Sequence, residues 1–311
     1  MRRSPRNVEV TFNHAGLTHY GGAFFLHEFL RVLQFRHFLA RQLHWIRRHH
    51  DYSLSQMILG LVWPVVLGLD RIETASLLRA HGTFQFLTGL PSFPDPQTLR
   101  RFLLRAPTRF ARELGRVNDR LLQFFLHIPP RRSRLILDLD STVLTVFGRQ
   151  QGAEVGYNPR CRGKRSYQPL LCLEANSTPL GAAQLRPGDI DPHSGTAELF
   201  RDCWSNLPAH IRELRQDFAL ACIPTRCFAA NALYLEIIRL AYNLVTAFQR
   251  ICLPDEWSPY TLQQLRYKLF LSPGQLARPQ NRPVLRLNST PKIQQLSRHV
   301  LAQIKRLRPR C

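Results

Sequence analysis

The sequence predicts an α/β protein that is mostly α-helical and carries one small mixed sheet. Three observations support this. Leu135-Ile-Leu and Val143-Leu-Thr-Val bracket Asp138-Leu-Asp140 in a short apolar, β-branched run that reads as a strand. Two more apolar runs follow, Tyr167 to Ala175 and Leu180 to Leu185, separated by the turn residues Asn176-Ser-Thr-Pro179. On both sides of this block apolar residues recur at helical spacing: Leu26, Leu30 and Leu33 before it, and Leu233, Ile237, Leu240, Leu244 and Phe248 after it.

Residues 8 to 22 alternate weakly and end at Gly21-Gly22, an extended lead-in followed by a turn. One helix is expected from Ala23 to about Arg48. Ser53 caps a second through Ile58, Leu61 and Val62, and a third covers Ile72 to Leu78. The apolar stretch Met57 to Leu69 is too short to span a bilayer and contains Pro64, so it reads as a core helix. Asp95 stands before Pro96, a cap followed by a residue suited to the first helical position. The helix they start sets Leu99 and Leu103 apart from Arg100-Arg101, which fits an ordinary packing helix first and a DNA-groove helix second. Another helix runs from about Phe110 to Phe125 and stops before Pro129-Pro130.

After the strands, Thr196 to Trp204 reads as a helix, as does the chain from Ala209 through Ile211, Leu214 and Phe218. A longer helix spans Phe228 to about Arg250, and the basic, proline-punctuated remainder closes with a helix through Ile293, Val300 and Leu307. Three segments result: an all-helical 1–130, a sheet-bearing 131–208, and a helical, basic 209–311.

The charge narrows the function. Lys plus Arg number 43 against 21 Asp plus Glu, for a formal net charge of +22 and a pI near 11.0. Arginine dominates, and its planar fork suits phosphate. The charge is spread along the chain and not gathered in one amphipathic block, which favours a nucleic acid over a membrane surface. Of the 7 cysteines none forms a Cys-x-x-Cys pair or a zinc-spaced cluster. Cys172 and Cys252 lie in apolar runs and read as buried thiols of a reducing compartment. No signal peptide is evident, and a cytoplasmic, nucleoid-associated protein is expected.

Two carboxylates inside an apolar strand are costly unless they meet a cation or a hydrogen-bond donor. An aspartate projecting from a sheet can hold Mg²⁺ beside a phosphodiester. Asp138 and Asp140 share one face of the strand by its period of two. The following segment, Gly148 to Tyr167, is rich in glycine and basic residues. Arg160, Arg162, Lys164 and Arg165 are placed to reach phosphates, and Tyr157 or Tyr167 to stack on a base. The same loop reads equally as a solvated surface.

The chain resembles the DDE-type transposases of bacterial insertion sequences, within the set called transposase DDE domain group 1. The resemblance is carried by Asp138-Leu-Asp-Ser-Thr, Gly148-Arg-Gln-Gln-Gly-Ala, Gly156-Tyr-Asn-Pro and Ser166-Tyr-Gln-Pro-Leu. It continues through Leu185-Arg-Pro-Gly, Ile211-Arg-Glu-Leu-Arg, Phe228-Ala-Ala-Asn-Ala and Leu240-Ala-Tyr-Asn-Leu. It implies a ribonuclease H-like catalytic core within 131–208, a DNA-binding and dimerising 1–130, and DNA ends of an insertion sequence as partner. It also implies Mg²⁺ or Mn²⁺, two ions held by three carboxylates, with Asp140 as the first of the three. Asp138 is then either a metal neighbour or a sheet-edge carboxylate held by backbone donors. Arg100 and Arg101 join the four loop cations as candidate DNA contacts.

Against that pattern the chain lacks a fourth strand ending in Asp, and Ala209-His-Ile-Arg-Glu-Leu-Arg matches the family's segment just after its glutamate. In this register the glutamate position falls at Pro208 and Glu213 is an ordinary helix residue. Asp189, Asp191 and Asp202 sit in a turn and on an early helix. The reading is a truncated core with an internal deletion: a transposase by descent, defective in cleavage. A working enzyme with replacement carboxylates, a non-catalytic DNA-binding remnant and a basic RNA-associated protein are the competing readings. The last leaves the aspartate-bearing strand unexplained.

Overall fold

The computed structural model of the chain describes residues 16–47, 50–126, 137–174, 180–191, 193–199, 223–287 and 290–307. Its longest element is a helix of 25 residues, Phe228–Cys252, apolar on nearly every face and correspondingly buried from Leu233 to Phe248. Around it lie α1 (Ala23–Val32), α2 (Phe35–Gln42), α3 (Leu54–Leu67), α4 (Ala75–Arg79), α5 (Gly82–Leu87), α6 (Pro96–Arg105) and α7 (Thr108–Leu126). The long helix is α8, and α9 (Pro291–Arg306) closes the chain. α8 packs against α7, α3, α6 and α9. One hydrophobic cluster therefore runs from Ala23 to Ile304 and draws on all three sequence segments.

Local chemistry sets the helix limits. Ser53 accepts from the Gln56 amide while Gln56 reaches back to the Ser53 amide, a capping box that starts α3. Asp95 accepts from the amides of Gln97 and Thr98 at 2.9 Å, with Pro96 at the first position of α6. α3 ends at Gly68 in the left-handed region (φ 77°). There the buried Arg266 donates to the carbonyls of Val66 and Val65 at 2.7 and 2.6 Å. The helix expected across 23–48 is two helices, because Gln34 adopts a left-handed conformation (φ 51°) that turns Phe35 and Leu39 into the core. The expected Ile72–Leu78 helix begins as a 3₁₀ turn, Ile72–Thr74, before α4.

Among the described residues the strands form three small sheets, not one mixed sheet, and every pairing is antiparallel. β2 (Leu137–Ser141), β6 (Leu170–Glu174) and β7 (Leu180–Gln184) make the first, in the order β2-β6-β7. β3 (Leu144–Thr145), β4 (Glu154–Val155) and β5 (Arg165–Tyr167) make the second, with β5 central. β1 (Leu17–Thr18), β8 (Gly274–Ala277) and β9 (Val284–Leu287) make the third. Neither end segment is purely helical, because β1 pairs with a hairpin strand 256 to 258 residues away in sequence (Thr18 with Gly274, Leu17 with Gln275), a contact with no local signal. The tight approach is sterically exacting. A Cβ on Gly22 would lie 1.7 Å from the Leu269 carbonyl oxygen, so Gly21-Gly22 lets the start of α1 press on the chain before β8.

Thr196 to Leu199 is helical as expected; the rest of that helix, and the one expected from Ala209, lie outside the described residues. Cys252 is a buried thiol as expected, whereas Cys172, equally buried, is disulfide-bonded and not a thiol.

The candidate catalytic strand and its basic loop

β2 pairs with β6 so that Leu139 faces Cys172 and Asp140 faces Leu171. Alternation sends these two pairs to opposite sides of the sheet. Leu139 packs on Leu170, Cys172, Ala182 and Leu199, and Leu171 belongs to the main core. Asp140, last but one in its strand, emerges exposed to solvent. Among the described strands β2 pairs with β6 alone. The side chain of Asp138 lies outside the described residues.

The hairpin continues past the sheet. The Thr142 amide donates to the Pro169 carbonyl at 3.2 Å. Pro169 has no N–H to return, so the ladder breaks there. It resumes with β3 on β5 and with the Val146 amide on the Arg165 carbonyl at 3.0 Å. Asp140 and the loop cations thus sit on one antiparallel hairpin, with Arg165, the nearest of them, six residues along it from Asp140's partner Leu171, about 20 Å at ~3.3 Å per residue.

The family-like motifs build this region's scaffold. Cβ atoms on Gly156 and Gly188 would lie 2.0 and 2.2 Å from the carbonyl oxygens of Gly188 and Ser166. Both glycines are therefore required for backbone to stack on backbone. The buried Gln168 donates from Nε2 to the carbonyls of Gly188 (3.1 Å) and Tyr157 (3.3 Å), and its own carbonyl accepts from Arg186 Nε at 3.0 Å. Asn158 donates to Thr145 Oγ1 at 2.9 Å and accepts from the Cys161 amide at 3.0 Å. The segment expected as a free loop is thereby partly a sheet.

On that frame Arg160, Arg162 and Lys164 are exposed. Arg165 is exposed but donates to the Ala153 carbonyl at 3.1 Å and lies 3.7 Å from Glu154. Tyr157 is 69% exposed and can meet a base. Tyr167 cannot: it is fully buried, with its hydroxyl donating to the Gln151 carbonyl at 2.6 Å. The pair on α6 divides. Arg100 is paired with Glu73 and donates to the Pro224 carbonyl at 3.4 Å, and this pairing lowers the Glu73 pKa. Arg101 is exposed.

A feature not anticipated from sequence joins α7, β7 and α8. Arg239, 3% exposed, donates to Asp119 at 2.6 Å, to the Leu180 carbonyl at 3.0 Å and to the Gly181 carbonyl. Glu236 lies 3.4 Å from Arg239, and burial raises its pKa. The available signal was polar: Asn231, Glu236, Arg239 and Asn243 interrupt an otherwise apolar helix.

Among the described residues no three His, Cys, Asp or Glu side chains gather into a metal-binding group. Asp191 caps its own turn, accepting from the His193 amide at 2.7 Å, and Asp202 and Glu213 lie outside the description. The described residues do not fit a two-metal centre.

The sequence model of a family described as transposase DDE domain group 1 matches residues 2–209 and again residues 205–309. The chain belongs to that family. Membership in the transposases brings DNA transposition, a mobile genetic element and DNA as the partner, and the DDE domain implies a ribonuclease H-like fold. DDE transposases use divalent metal ions. Among the described residues no helix is long and apolar enough to cross a membrane. No curated protein and no solved structure matches the chain.

Proposed function

We propose that this transposase-family chain binds insertion-sequence DNA but neither cleaves nor joins it. The observation that supports this most is that no metal-binding group of three side chains forms at Asp140 among the described residues. Asp140 itself is exposed at the end of β2. In-line phosphodiester displacement needs attacking and leaving oxygens both stabilised, which one carboxylate does not arrange. The sequence register, with Pro208 at the expected glutamate, agrees. So does the family match, whose two stretches meet at residues 205–209, where the deletion is inferred.

In this reading residues 1–130 grip DNA, 131–208 retain part of the catalytic sheet with its basic loop, and 209–311 brace both through α8. A homodimer holds two element ends on the nucleoid. Binding is electrostatic, so affinity falls by ~10³-fold or more between low and moderate salt if several phosphates are contacted. The test combines a salt titration on element-end duplex with a nicking assay in Mg²⁺ or Mn²⁺. Salt-dependent binding without nicks is expected. Metal-dependent nicking lost in Asp140→Ala would show a working enzyme, and binding with no salt slope would remove the DNA reading. Sedimentation at twice the 36.1 kDa of one chain checks the dimer.

A further inference from the structure

α6 presents Thr98, Arg101, Phe102 and Arg105 along one side, at helical spacing. Facing them is the chain after α2, with Trp45, Ile46, Arg47, His50, Asp51 and Tyr52. Between the two lies an open cleft of about 390 Å³.

Its base is rigid. The Trp45 ring lies 5.1 Å from Phe102 and 5.3 Å from Phe110, both buried. The Arg47 guanidinium sits over the rings of Trp45 and Phe102 at 5.8 and 5.6 Å and donates to the Tyr52 carbonyl. Stacking and this hydrogen bond fix a cation in the cleft before any ligand arrives. Arg101 and Arg105 are exposed and have no ion-pair partner among the described residues. Among the described residues Asp51 is the one acidic residue of the lining, against three guanidiniums. At the rim Ile46 is 93% exposed, an apolar side chain beside concentrated positive charge.

We propose that this cleft clamps the sugar–phosphate backbone of the DNA. The inference rests on the reading that the chain binds DNA and gives that reading a place. Arg101 and Arg105 stand one turn apart, so their stems are about 5–6 Å apart and each takes its own phosphate. The held Arg47 supplies a third positive charge, and Ile46 lies against a deoxyribose. A polyanionic strand with an apolar sugar face fits this combination better than an isolated anion does, because a free phosphate makes no use of Ile46. The site reads no bases and contributes affinity, not sequence choice.

The experiment measures duplex binding by the full chain across a salt series. In Arg101→Gln/Arg105→Gln the slope of log K against log salt should fall by about 1.8, twice the ~0.9 expected per phosphate contact. Arg101→Lys/Arg105→Lys should keep the slope. Ile46→Ser should weaken binding several-fold with the slope unchanged. All these positions are exposed, and circular dichroism verifies the fold of each variant. Wild-type binding with its slope intact in the glutamine variant overturns the clamp while sparing the DNA reading. Absence of wild-type DNA binding overturns both. A glutamine variant that keeps its DNA slope but loses binding to an acidic peptide would assign the cleft to a protein partner.

Discussion

Asn243 holds Leu180 by both of its backbone groups. Its Oδ1 accepts from the Leu180 amide at 2.7 Å, and its Nδ2 donates to the Leu180 carbonyl at 3.3 Å. One carboxamide on α8 thus does for the first residue of β7 what a neighbouring strand would do. Asn118 on α7 joins the same network, accepting from Asn243 at 3.3 Å. Asn231, in another family-like motif, likewise holds Thr225 through its amide, hydroxyl and carbonyl. These motif asparagines fix the sheet and the chain before α8 onto that helix.

Replacing Asn243 with Leu strands the amide of Leu180, a residue with no exposed surface. A buried unsatisfied backbone group costs about 1–3 kcal/mol. Urea unfolding of Asn243→Leu should show a loss of that size with the m-value unchanged.

Arg239→Leu should be more severe. The guanidinium is buried, and its removal takes a donor from Asp119, Glu236 and the Leu180 and Gly181 carbonyls, leaving Asn118 on Glu236 and Asn243 on Leu180. Breaking a buried ion pair from one side costs about 3–5 kcal/mol. Asp119→Asn, at a more exposed partner, should cost less in the same unfolding measurement.

His27 predicts a pH dependence of stability. Burial lowers its pKa from 6.5 to about 4, with Arg36 and Arg31 adding to the effect and Glu28 opposing it. The unfolded chain takes up the proton below 6.5, whereas the folded chain resists it until about 4. The contribution is therefore complete above 6.5 and lost as pH falls through this window, a span on the order of 3 kcal/mol. His27→Gln should flatten the unfolding free energy over the same window.

Gly188→Ala should disrupt the second sheet, because the new Cβ meets carbonyl oxygens of Ser166 and Glu154 at 2.2 and 2.4 Å. Backbone on both sides leaves nothing to rotate away. A destabilisation of about 3 kcal/mol or more is expected, together with proteolytic nicking near Arg160 to Arg165.

Asp140→Asn should leave the unfolding transition in place, since the side chain is exposed. It should also remove whatever Mn²⁺ binding the sheet retains, read by electron paramagnetic resonance. Unchanged Mn²⁺ binding would show that Asp140 is not the metal contact.

Signals that act within a few residues were legible from sequence. The Ser53 and Asp95 caps, the long α8, and the three strands around Asp140 follow from side chains and periodicities close to the elements they set. The turn at Gln34 was not legible, because neither Leu33 nor Gln34 is a turn residue and burial of Phe35 decides it. Nor was the pairing of β1 with β8, which joins segments far apart in the chain.

By itself the sequence determined the helical content, the aspartate-bearing strand, the positive charge and the family. Tertiary structure alone decided how neighbouring side chains are used. Arg100 and Arg101 are equivalent as sequence, but Glu73 and Pro224 take up the first and leave the second on an open cleft. Tyr157 and Tyr167 are likewise equivalent until Tyr167 is buried by the sheet. Capping and periodicity depend on separations of a few residues. The availability of a side chain depends on which distant segment packs beside it, and only the folded chain specifies that.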